Sequence, residues 1–121
     1  RRQRQMCIRD RFLDFNMQRD ILIVTLKGEL DHNSAEEVRV KIDDKIDMNE
    51  AKNIILDFSG VSFMDSSGIG AVMGRYKKIS YRGGNLFISN VNKNVNKIFE
   101  LAGLYKVIKK YNTIEEAVGC I

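Results

Sequence analysis

The sequence predicts an α/β fold built on a mixed, mostly parallel β-sheet with an N-terminal β-hairpin and about four helices. Three observations carry that prediction. Two strand-like runs, FLDFNM and ILIVTLKGEL, are separated only by the polar QRD, which reads as a hairpin turn. Beyond them the hydrophobic period switches repeatedly between strand-like and helix-like spacing, in the order β-β-α-β-α-β-α-β-α, and such alternation wraps crossover helices around parallel strands. Finally, NIILDF is almost continuously apolar, as a strand covered on both faces must be, so it belongs at the centre of the sheet.

Each element has its own warrant. After the hairpin, Ala35, Val38, Ile42 and Ile46 recur at helical spacing, and DHNS before them supplies N-cap side chains. The stretch DFSGVSFMDSSGIG reads as a strand, then a loop, then a helix N-terminus. Ile69, Val72, Met73, Tyr76 and Ile79 form one face of that helix. GGNLFISNV is a strand after a glycine turn, and Val95, Ile98, Phe99 and Ala102 mark a third helix. YKVIKKY reads as a last short strand, and TIEEAVGCI as a last helix capped by Thr113.

At 121 residues the chain is long enough for one core without a metal or disulfide staple, and 44% hydrophobic with 30% charged residues is a globular balance. The net charge of +4 sits in RRQRQMCIRDR, outside which basic and acidic side chains balance. Residues 1–11 are therefore expected to be a disordered or non-native basic leader, and residues 12–121 a single domain. A neutral body gives no reason to expect direct nucleic-acid binding. No run approaches the roughly 20 apolar residues of a membrane span, and Cys7 and Cys120 have no metal-ligand spacing. Free thiols, no metal and a cytoplasmic setting are expected.

The informative motif is Asp65-Ser66-Ser67-Gly68, placed where a strand hands over to a helix, outside the carboxyl end of the sheet where ligands collect in α/β folds. Four roles compete. Asp65, Ser66 or Ser67 can cap the helix. Ser66 or Ser67 can be a nucleophile with His32 as base and an aspartate as its orienter, but G-x-S-x-G is absent and His32 lies among capping residues. Gly68, Gly70 and Gly74 can approach a nucleotide, but their spacing matches no phosphate-binding fingerprint and no P-loop lysine follows. An exposed serine can also accept phosphate, altering partner docking through charge while the fold stays intact.

KGELDHNSAEEV, FMDSSGIGAVMGRYKKI and RGGNLFISNVNKNVNKIFELAGLYKVI closely resemble the bacterial anti-sigma factor antagonists of the STAS class, their sporulation members above all. The likeness runs from Phe12 to the last helix. It implies a STAS fold and a regulator that is not an enzyme. In that family the unphosphorylated protein binds an anti-sigma factor that is also a serine kinase, which frees the sigma factor. The kinase phosphorylates the first serine of D-S-S-G, and a serine phosphatase reverses this. By position the phosphoacceptor here is Ser66. Gly28 to Asp31 match the family's G-E-L-D turn, so the resemblance makes Asp31, His32 and Asn33 partner contacts. Asp65 and Ser67 shape the phosphoacceptor turn, and Gly68 either allows close approach of the partner or serves only helix packing. ATP and magnesium belong to the kinase, and no cofactor is expected in this chain. The alternatives are a STAS subunit of a larger stress-signalling assembly and a small-molecule (nucleotide) binding module.

Overall fold

A computed structural model of the chain describes residues 8–9, 13–49 and 51–120. Six strands form one sheet in chain order, β1 (Ile8–Arg9), β2 (Leu13–Gln18), β3 (Ile21–Leu30), β4 (Asn53–Met64), β5 (Asn85–Ser89) and β6 (Lys109–Tyr111). Helix α1 (Ala35–Asn49) joins β3 to β4, and α2 (Ser66–Tyr81) joins β4 to β5. Helix α3 (Lys93–Leu101) and a 3₁₀ turn (Leu104–Lys106) lead into β6, and α4 (Ile114–Cys120) follows it. β1, β2 and β3 are antiparallel neighbours, whereas β3 to β6 are parallel, which is the mixed sheet with an N-terminal hairpin that the sequence predicts. Within the leader expected over residues 1–11, Ile8 and Arg9 pair with Phe15 and Asp14 of β2. The remainder of that leader, with Cys7, lies outside the described residues.

Strand alternation sorts the core onto two faces. Leu22, Val24, Ile54, Leu56 and Ile88 meet Val38, Ile42 and Ile46 of α1, Val72 and Ile79 of α2, and Val95 and Phe99 of α3 in one cluster. Ile21, Ile23, Ile55 and Tyr111 meet Ala117 of α4 in a second, smaller one. Parallel strands that advance steadily in one direction put crossovers of one hand on one face. Three helices therefore share a face and α4 alone covers the other. Within the larger core Phe58 and Phe99 meet edge to face with ring centroids 5.1 Å apart.

Two elements differ from the sequence reading. β4 does not end with the apolar run but continues through Ser59–Met64, because β3 is long enough to pair with it as far as Leu30↔Met64. In YKVIKKY only Lys109–Tyr111 is strand. Tyr105 and Lys106 lie in the 3₁₀ turn, where the Tyr105 hydroxyl donates to Asn96 Oδ1 at 2.7 Å, and buried Leu104 and Ile108 anchor the turn to the core.

The parallel helices α1 and α2 are clamped by charge. Arg75 Nε lies 2.7 Å from Asp43 Oδ1, with side-chain exposures of only 8% and 20%, and Arg75 Nη1 donates to the Ala71 carbonyl at 3.3 Å. Burial pulls the Arg75 guanidinium below its ordinary range, and the Asp43 carboxylate opposes this. Farther along, Asp47 binds Arg82 and, at 3.3 Å, Lys78. Removing one partner of a buried pair strands the other, at a cost of about 3–5 kcal/mol, whereas replacing both by apolar groups is often tolerated. Asp43→Ala is therefore expected to lower the denaturation midpoint sharply. The double change Asp43→Leu with Arg75→Met should recover most of that loss in the same urea titration.

Candidate functional site

The adjacent strands β3 and β4 end together at the Leu30↔Met64 pair, so the turns that follow, beginning at Asp31 and Asp65, emerge side by side at the carboxyl end of the sheet. The Asp65 N–H donates to the Leu30 carbonyl at 3.3 Å and ties the second turn to the first strand. This placement brings Asp31, His32 and Asn33 alongside Asp65, Ser66 and Ser67.

Each turn is shaped by an aspartate. Asp31 Oδ1 accepts from the Asn33 N–H at 2.9 Å and from the Ser34 N–H at 3.2 Å. Buried Ser34 closes the turn by donating its hydroxyl to the Glu29 carbonyl at 2.6 Å. Asp65 is the N-cap of α2: its backbone is extended, and its Oδ1 accepts from the Ser67 N–H at 2.8 Å and the Gly68 N–H at 3.4 Å. Among the three residues able to cap this helix, Asp65 takes the position, which leaves both serine hydroxyls free of that task.

Ser66, the first residue of α2, is exposed, Ser67 is half-buried and Gly68 is buried. A Cβ on Gly68 would lie 2.6 Å from Met64 Cγ and 2.7 Å from the Leu30 carbonyl oxygen. Gly68 thus lets α2 approach the β3–β4 end closely. His32 is exposed, its Nδ1 4.0 Å from Asp65 Oδ2. That separation is too long for a hydrogen bond and gives a through-space attraction when the imidazole is protonated. His32 thus faces the capping carboxylate through Nδ1.

The sequence reading missed Phe63. It lies opposite Glu29 in the β3–β4 ladder and is 50% exposed beside the D-S-S-G turn. An apolar residue between Ser62 and Met64 was the available signal, but its outward direction depends on strand register. Among the described residues, no group of three or more His, Cys, Asp or Glu side chains could hold a metal ion, and no helix is long and apolar enough to cross a membrane.

Residues 13–117 match the STAS domain family. An anti-sigma F factor antagonist of Paenibacillus polymyxa is 37% identical over 100 residues, covering 83% of this chain and 86% of that protein. The anti-sigma factor antagonist SpoIIAA in its unphosphorylated form superposes with a TM-score of 0.70 at 32% identity, over 88% of this chain and 94% of that one. The Bacillus cell fate determinant SpoIIAA in its phosphorylated form gives a TM-score of 0.70 at 34% identity, over 88% of this chain and 96% of that one.

Three substitutions probe how the turn is held. Asp65→Ala removes the cap and is expected to cost about 1 kcal/mol, while Asp65→Asn, which can still accept both N–H groups, should cost less. Gly68→Ala should cost about 1–3 kcal/mol by forcing the start of α2 off Leu30 and Met64. Thermal melts should place Asp65→Asn highest, Asp65→Ala next and Gly68→Ala lowest.

Proposed function

This chain belongs to the anti-sigma factor antagonist family of STAS-domain proteins, and from that premise we propose that it works by phosphorylation-controlled partner exchange at Ser66. In this reading the unmodified protein binds a cytoplasmic anti-sigma factor that is also a serine kinase, and the sigma factor is released. Phosphorylation of Ser66 by that kinase, with ATP and magnesium held by the kinase, ends the binding, and a serine phosphatase restores it.

The observation that carries the reading is the exposed Ser66 at the first position of α2, beside a turn whose shape depends on Asp65 and not on the serine hydroxyl. A kinase can reach such a hydroxyl and modify it without unmaking the cap. Phosphate adds about −1.5 to −2 charge to a surface that already carries Glu29, Asp31 and Asp65, which changes how a partner docks more than how the chain folds. The likeness to SpoIIAA, of which unphosphorylated and phosphorylated forms have been solved, supports a switch of this kind. Asp31, His32 and Asn33 are the remaining contact residues in this reading. Ser67 supports the turn, and Gly68 acts from inside it.

The test combines the purified chain with each anti-sigma factor of its source organism and ATP, then maps phosphate by mass spectrometry. Ser66→Ala should bind as the unchanged chain does and take up no phosphate, whereas Ser67→Ala should still be modified. Ser66→Asp should keep the fold and bind more weakly. Phosphate on Ser67, or equal binding of modified and unmodified protein, overturns the reading.

A further inference from the structure

β3 and β4 outrun the rest of the sheet. Pairing with β2 reaches Leu26, and pairing with β5 ends at Asp57↔Ser89. From Lys27↔Gly60 to Leu30↔Met64 the two strands continue as a ribbon that leads directly into the two turns of the site. The register slips twice along the way, between Thr25 and Lys27 and again between Gly28 and Glu29, and each slip puts one extra residue into β4. An extra residue in one strand re-aims the side chains that follow it.

The second slip has a specific result. Val61 is buried, and strict alternation would turn Phe63 toward the same interior. Because Ser62 is the extra residue, Phe63 turns outward opposite Glu29, and Met64 returns to the core. The other large apolar side chains that are substantially exposed, Val40, Met48, Tyr81, Leu101 and Val107, lie on α1, at the last residues of α2 and α3, or after the 3₁₀ turn. Phe63 is the one among the described residues that adjoins the paired turns, with Glu29 opposite it in the ladder and Asp31 and Asp65 opening the turns that follow.

We propose that Phe63 is the apolar anchor of the docking surface, entering a pocket on the anti-sigma factor whose rim carries the arginine or lysine side chains that meet Glu29, Asp31 and Asp65. The inference rests on the partner-exchange reading and adds the residue that holds the partner and the chemistry of the partner's face. An aromatic ring centred among polar contacts is the kind of group that dominates interface energies, while the surrounding charges set approach and orientation. Phe63 does not touch the Ser66 hydroxyl in this scheme. It holds the partner without taking part in phosphate transfer.

The experiment measures binding and phosphorylation of the full chain by the anti-sigma factors of its source organism. Phe63→Ala should raise Kd by about thirtyfold or more and raise KM for phosphorylation while kcat holds, with the circular dichroism spectrum unchanged. Phe63→Leu should restore much of the binding. Glu29→Arg keeps the ring and should slow association at low salt, a defect that shrinks as salt is added. If the unchanged chain neither binds nor is phosphorylated, the partner-exchange reading falls and the anchor with it. If the unchanged chain binds and Phe63→Ala binds within twofold of it, or lowers kcat and leaves KM alone, the anchor is wrong and the partner-exchange reading stands. Association indifferent to Glu29→Arg and to salt overturns the basic rim.

Discussion

The parallel pairing of β3 with β4 is the constraint on which the rest of the molecule depends. It is the seam where the antiparallel hairpin joins the parallel half of the sheet. It also forms the middle of both cores, since Val24 and Leu56 face three helices while Ile23 and Ile55 face α4. Its far end does something no other strand pair does here. By stopping both strands at Leu30↔Met64 it delivers two turns to one place, and the Asp65 N–H to Leu30 carbonyl bond fixes them there. A parallel pair cannot close through a tight hairpin, so each strand must leave into a helix, and both turns are helix starts as a consequence.

That geometry creates a secondary problem, because two helices leaving neighbouring parallel strands lie side by side with their dipoles aligned. The sequence answers with charge along their contact, where Asp43 and Asp47 of α1 face Arg75, Lys78 and Arg82 of α2. Asp47 and its partners are partly exposed and contribute little each. Asp43 and Arg75 are mostly buried, and their attraction fixes the spacing of the two helices more than it adds net stability. Gly68 at the top of α2 and the Arg75 pair two turns below hold the helix against the β3–β4 end and against α1, respectively.

Much of this was legible in the amino-acid sequence where one local signal decided the outcome. The change of hydrophobic period located the hairpin and four helices, and the unbroken apolar run put β4 in the centre. Thr113 caps α4 as its position implies, accepting the Glu116 N–H at 3.0 Å. The features that were not legible are set by distant residues. Ser59, Gly60 and Ser62 look like a loop because what makes them strand is β3 alongside, and the two register slips leave no mark in a single strand's pattern. Arg75 falls next to an apolar helical face, but its partner lies on another helix. The D-S-S-G turn was legible as a helix start with three possible caps. Helix packing was already one reading of Gly68; that it packs on Leu30, and that the Asp65 N–H is tied to the same residue, depends on the other strand.

The choice of cap bears on what a charge at Ser66 can do. A helix N-terminus offers unpaired N–H groups that can absorb an anion, and a phosphate held that way would be drawn into the fold. Here the Ser67 and Gly68 N–H groups are already engaged by Asp65, through Oδ1 and, for Gly68, the backbone carbonyl as well. Asp65 also places its own negative charge next to the same residue, with His32 the cation available to the pair when protonated. A phosphate on Ser66 therefore meets occupied donors and a neighbouring carboxylate, both of which favour an outward orientation into solvent. In the partner-exchange reading, an outward phosphate is one that the partner meets, which lets a modification switch binding while the fold beneath it stays as it is.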